Sequence, residues 1–259
     1  MRKVNDNNMR NIRLTIEYDG KNFPGWQSQP GKVSIQTEIE KAIFEVTGEE
    51  VELIASGRTD AGVHALGQVA NFHTNTNIEI DKLPYAINSK LSKSIVIHKA
   101  EEVDDRFHSR YNCKLKTYRY IINNATFPSA LNRYREYHMP YKLDFDAMQK
   151  AAKYFEGEHD FKAFKASGGN EKKTTIRTLT KCKVKKDGDR IIIELTGNGF
   201  LYNMVRIISG TILDVGLGKI NADDIPKIIE SKVRQNAGKT LPPHGLYLVS
   251  VDYENDVNS

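Results

Sequence analysis

Between residues 57 and 65 the chain reads Gly57-Arg58-Thr59-Asp60-Ala61-Gly62-Val63-His64-Ala65. One carboxylate, one guanidinium and two glycines share a short stretch, which is enough for a lone-carboxylate site. Asp60 suits either of two roles, nucleophile or base. Both need it ionised, and a cation held nearby would favour that form. Arg58 and Asp60 sit two apart, so in extended backbone their side chains point the same way. Gly57 and Gly62 permit backbone angles closed to other residues and let a ligand approach closely. From residue types alone, an ordinary polar turn carrying a surface ion pair is the simpler explanation.

Other spacings fail. Gly238-Lys239-Thr240 looks like the end of a phosphate-binding loop, but Val233 stands where the upstream glycine is needed. Gly216-x-Gly218 has Asn221 in place of the third glycine of a dinucleotide fingerprint. The seven histidines show no HExxH or CxxC…HxxxH spacing, which speaks against a catalytic metal, and there is no GxSxG elbow. Cys113 and Cys182 lie far apart and read as reduced thiols packed as small hydrophobes, in keeping with a cytoplasm.

The elements around the 57–65 segment follow from periodicity. Ile12, Leu14, Ile16 and Tyr18 alternate with Arg13, Thr15 and Glu17, a half-buried strand stopped by Asp19-Gly20. Ser34 caps a helix carrying Ile35, Ile39, Ala42, Ile43 and Val46, with Gly48 as its stop. Strands near Val51–Ser56 and Gln68–His73 flank the segment, the kind of placement at which loops carry catalysis. A helix around Leu83–Leu91 and a strand Ile95–Val103 follow, and 104–110 is a charged connector. The second half predicts a strand Leu115–Ile122, then an irregular loop through Met139. A helix follows from Asp144, ended by Gly157. Strands near Thr175–Lys185 and Arg190–Thr196 make a hairpin about Asp187-Gly188. Helical spacing over Phe200–Val215, a short helix near Asp224–Lys232 and a strand Leu246–Tyr253 close the chain. Two similar α/β halves joined into one sheet is the simplest architecture.

The 259 residues carry 39% hydrophobic and 27% charged side chains, a globular profile. No apolar run approaches the roughly 18 residues of a membrane span. The polar, Asn-rich stretch Met1 to Asn11 reads as a disordered tail without a signal peptide's apolar segment, and Met9 is an alternative start. Of a net +5, the stretch Lys162–Arg190 alone holds +7, ten Lys/Arg against three Asp/Glu, leaving −2 elsewhere. Clustered positive charge suits a polyphosphate partner; a solvated hairpin is the alternative.

The 57–65 segment resembles the signature of the TruA-type tRNA pseudouridine synthases. Five further stretches resemble motifs of that family, in its order. They are Tyr18-Asp19-Gly20…Phe23-x-Gly25-Trp26-Gln27, then Phe107-His108-Ser109-Arg110 with Lys116-Thr117-Tyr118-Arg119-Tyr120, and Glu156-Gly157-x-His159-Asp160-Phe161-x-Ala163-Phe164. Gly199-Phe200-Leu201-Tyr202-Asn203-Met204-Val205-Arg206 and Pro243-His244-Gly245-Leu246-Tyr247-Leu248 complete the set. Ser109 and Leu241 stand where the family commonly has Ala.

The resemblance implies an α+β pseudouridine synthase fold of two RRM/ferredoxin-like halves, 11–108 and 109–255, sharing one largely antiparallel sheet, with tails 1–10 and 256–259. It implies a cofactor-free, metal-free isomerase that turns uridine into pseudouridine at positions 38, 39 and 40 of the tRNA anticodon stem-loop. A homodimer in the cytoplasm is implied as well. It makes Asp60 the catalytic carboxylate and sets Arg206 against it. Tyr118 would stack on the flipped base, Arg58 help turn the base out, and Leu246 pack beneath it. Arg206 on an apolar helix could otherwise snorkel to the surface. Trp26 and Phe23 are expected to pack their loop. The intact set of Asp60, Arg58, Tyr118 and Arg206 argues against a catalytically silent RNA-binding protein on the same fold.

Overall fold

The computed structural model describes residues 9–27, 31–168 and 174–254. The tails expected at the two ends fall outside the described residues before 9 and after 254, as does 169–173 of the basic stretch. The chain forms two compact units, residues 1–114 with 248–259, and residues 115–247. Each holds mostly antiparallel strands with helices, so the protein is of the mixed α/β class expected.

The first unit is built on β1 (Arg10–Tyr18), which lies antiparallel between β3 (His64–Thr74) and β4 (Ile95–Val103). Its alternation is as the sequence predicts, with Ile12, Leu14 and Ile16 wholly buried. The strand starts at Arg10, inside the stretch expected to be tail. Asn11 causes this: almost fully buried, it donates to the carbonyls of Asp104 at 3.0 Å and Phe107 at 2.9 Å. Helix α1 (Ile35–Thr47) has the predicted ends, with a reciprocal Ser34–Thr37 capping box and Gly48 left-handed at φ 74°. Strand β2 is only Ile54–Ala55, shorter than predicted, because the Leu53 N–H is taken by Glu40 of α1 at 3.0 Å instead of by the sheet. Helix α2 covers Leu83–Asn88.

In the second unit the strand order is β5 (Leu115–Asn123), β9 (Arg190–Gly197), β8 (Ile176–Asp187) and β7 (Gly157–Asp160). The loop after β5 holds a two-residue strand, β6 (Tyr137–His138), parallel to β5. Helix α3 (Phe145–Lys153) is capped by Asp144 as expected, but it ends before Gly157. Gly157, at φ 102°, instead opens β7 opposite Leu179. Helix α4 (Met204–Gly216) starts four residues later than the apolar spacing suggests, because Asn203 is left-handed at φ 59° and breaks the turn. Helix α5 (Ile225–Ser231) follows, and β10 (Leu246–Asp252) starts in this unit and ends in the first.

Candidate active site

Asp60 lies in the loop between β2 and β3, half-buried, while Arg58 two residues earlier is exposed. The loop leans on the segment that follows β1. Asp60 forms an isolated antiparallel bridge with Gly25, and the Trp26 N–H donates to the Thr59 carbonyl at 3.0 Å. The Val63 N–H closes a turn onto the Asp60 carbonyl at 3.2 Å, and Gly62 at φ 76° supplies its left-handed residue.

Two glycines of the N-terminal motif have their reason here. A Cβ on Gly20 would lie 1.9 Å from the Val63 carbonyl oxygen, and one on Gly25 would lie 2.8 Å from the Thr59 carbonyl oxygen. Gly25 also sits at φ 116°. The backbone of the Asp60 loop therefore touches bare backbone at both points, and no side chain fits between.

Side chains complete the mounting. The Tyr18 hydroxyl meets Thr59 Oγ1 at 2.7 Å, and burial pushes the Tyr18 phenol above its ordinary range. The Gly20 N–H points at Nδ1 of buried His64 at 3.1 Å. Asp19 Oδ1 lies 3.2 Å from the same atom. Trp26 is buried against Tyr18, ring centroids 6.0 Å apart, so its packing role is as expected; Phe23 is half-buried.

The remaining predicted residues lie in the second unit. Tyr118 pairs with Leu195 across the β5–β9 ladder, and its ring packs edge-on against Phe200 at 5.0 Å. It is 9% exposed. Two residues on, Tyr120 shares its face and donates to the Pro242 carbonyl at 2.8 Å. Burial raises the Tyr120 pKa, against the opposing pull of the Arg206 charge. Arg206, on the first turns of α4, does not snorkel. Its Nε donates to the Leu241 carbonyl at 2.6 Å and its Nη1 to Asn203 Oδ1 at 2.7 Å. The left-handed Asn203 thus carries an acceptor for the arginine. Leu246 is buried as the first residue of β10, just after Gly245, where a Cβ would come within 2.7 Å of the Tyr120 ring.

Sequence reasoning named Asp60, Arg58, Tyr118, Arg206 and Leu246 but passed over the residues that hold them. Tyr18 and Tyr120 read as ordinary strand tyrosines, and Asn203 read as helix. A usable signal was the placement of Gly20 and Gly25, too close to the strand end to be loop punctuation alone. On the basic stretch, Lys183, Lys185 and Lys186 of β8 are exposed, with Cys182 and Val184 turned inward. Lys181 and Arg190 are instead engaged with the carboxylates of Glu194 and Glu136.

The amino-acid sequence of the chain is similar to that of known proteins. A family model described as tRNA pseudouridine synthase matches residues 14–112 and 151–254. The chain belongs to that family. The tRNA pseudouridine synthase A of Acetivibrio thermocellus is 55% identical over 245 residues, which span 95% of this chain and 100% of that protein. The protein of the same name from Caldicellulosiruptor bescii is 57% identical over 245 residues with the same coverage. Tyr118 falls between the two stretches matched by the family model but within the span shared with these relatives. Among solved structures, a Cbf5-Nop10-Gar1 complex aligns over 78% of this chain and 54% of that one at 14% identity. The TM-score of that alignment is 0.33.

Proposed function

We propose that this chain is the isomerase that converts uridine to pseudouridine at positions 38, 39 and 40 of the tRNA anticodon stem-loop, with Asp60 as its catalytic carboxylate. The reaction breaks the bond from the ribose to the base nitrogen and makes one to a base carbon. The proton lost at that carbon is balanced by one gained at the freed nitrogen, so no cofactor is consumed. The mounting of Asp60 supports the reading most. A surface ion pair needs no such fixation, whereas a catalytic group held within a fraction of an ångström gains from it. The ionised carboxylate is favoured by a cation, and Arg206 is assigned that part, its guanidinium pre-oriented by Leu241 and Asn203.

Tyr118 stacks on the target base, an interaction of about 1–3 kcal/mol. Leu246 packs beneath the base, and exposed Arg58 helps turn it out of the stem. The enzyme works as a homodimer in the cytoplasm, with tRNA contacting both protomers. Unmodified tRNA transcripts incubated with the purified protein and with Asp60→Ala, then mapped for pseudouridine, test this. Product at the three anticodon-arm positions is expected from the wild type and none from the variant. No product at all, product confined to other positions, or full activity of Asp60→Ala would each overturn the corresponding part.

A further inference from the structure

The residues leading into Asp60 are held by a buried hydrogen-bond relay that lies entirely in the first unit. Its hub is Gln68 on β3, fully buried. Nε2 donates to the Gly57 carbonyl at 2.8 Å and, in a longer contact of 3.5 Å, to the Tyr18 hydroxyl oxygen. Oε1 accepts from the Ser56 hydroxyl at 2.8 Å and from the Val69 N–H at 3.1 Å. Every donor and acceptor of this amide is in use. The Val69 N–H also fixes its orientation, because a flipped amide would set N–H against N–H.

The next link is the Tyr18 hydroxyl. The Tyr18 oxygen accepts from Gln68, and its hydroxyl shares a hydrogen bond with Thr59 Oγ1 at 2.7 Å in which either oxygen can donate. Burial keeps that phenol protonated at any working pH. Thr59, the residue before Asp60, is thus held by its hydroxyl from Tyr18 and by its carbonyl from Trp26. The residue is 7% exposed, dry enough for the hydroxyl bond to count. The turn is already closed by backbone bonds at Gly25 and Val63, so the relay is not needed to make it. What it adds is a fixed torsional setting at residues 57–59.

We propose that Tyr18, Thr59 and Gln68 are positioning residues that set the reactive geometry of the Asp60 carboxylate. The inference rests on Asp60 being the catalytic group. It leads to an isosteric test. Thr59→Val keeps the shape and removes the hydroxyl, Thr59→Ser keeps the hydroxyl, and Tyr18→Phe removes the partner.

Single-turnover rates on unmodified tRNA would be measured with enzyme in excess, beside tRNA affinity and binding stoichiometry by filter binding, and thermal melts. Rates are taken per binding-competent molecule, so a partly unfolded variant does not pass for a slow one. Thr59→Val and Tyr18→Phe should each slow the step by about 10- to 100-fold, the range for a small misplacement of a reacting group. Affinity should stay within about twofold, because a positioning loss acts on the chemical step and leaves uniform binding alone. Thr59→Ser should recover most of the rate, and the double variant should be no slower than the slower single one, as expected of coupled partners. A Thr59→Val rate within twofold of wild type, or a rate loss matched by lost tRNA affinity, would overturn the proposal. Asp60→Ala run alongside separates the two readings. Activity in that variant defeats the role of Asp60, whereas an inactive Asp60→Ala beside a fully active Thr59→Val defeats only the relay.

Discussion

Arg206 and Gly25 show how much of the proposed site depends on shape. Lysine at 206 would keep the charge but lose the fork that reaches Leu241 and Asn203 together. Arg206→Lys is expected to lower single-turnover rate about 10- to 100-fold, the worth of one charge-assisted hydrogen bond, with tRNA affinity by filter binding nearly unchanged. Gly25→Ala combines a positive φ with a close approach to Thr59, a strain on the order of 1–3 kcal/mol. Urea denaturation should show that loss, and the Asp60 loop should move with it. Glu194 gives a pH signature. Burial pushes its carboxyl up, but hydrogen bonds and charge from Lys181 and Arg119 outweigh burial and leave it below the usual carboxylate range. Its ion pairs therefore stabilise the fold above about pH 4.3, the unperturbed value, and are lost as pH falls through the lower folded value. Glu194→Gln should melt earlier than wild type at pH 7, and the gap should narrow on acidification. At this scale, Asp60 was visible in the sequence and its supports were not. A carboxylate between glycines also fits a plain turn, and Gln68 on a strand gives no sign that its amide points inward to four partners.

Among the elements, α1 was readable end to end because cap, periodicity and stop agree. Ser34→Ala removes the reciprocal bonds of the capping box and should cost about 1 kcal/mol, a drop of roughly 2–4 °C in Tm for a chain of this size. The start of α4 was not readable. Phe200 and Leu201 continue the apolar spacing, but the left-handed setting of Asn203 is a backbone choice to which hydrophobic period is blind. The same is true of β7, whose opening Gly157 resembles a helix stop while its positive φ serves the turn into a strand. Gly157 thus sits where local signals for stopping and turning coincide, and only pairing with β8 decides between them.

For the whole molecule, class and activity were legible from motifs spread along the chain, while the surface that meets RNA was less so. Charge counting marked the stretch Lys162–Arg190, yet Lys181 and Arg190 are engaged with carboxylates, and the exposed lysines of β8 that share one face are Lys183 and Lys185. If that row faces tRNA phosphates, Lys183→Glu with Lys185→Glu should weaken binding at low salt. It should also flatten the dependence of log affinity on log salt, by about one unit for each lysine–phosphate pairing removed. The rate at saturating enzyme should stay the same. Filter binding across a salt series checks both, and sedimentation velocity of the wild type checks the proposed dimer.

The close approaches of Gly20 to Val63 and of Gly25 to Thr59 bear on how such an enzyme can change over generations. The two stretches meet as complementary moulds, so neither can drift far without the other. A chimera receiving only residues 57–65 from a distant homologue would inherit the reactive residue without its cast. Transplanting residues 18–27 with it should restore the graft, which makes the pair, rather than the nine-residue signature, the smallest heritable unit of this chemistry.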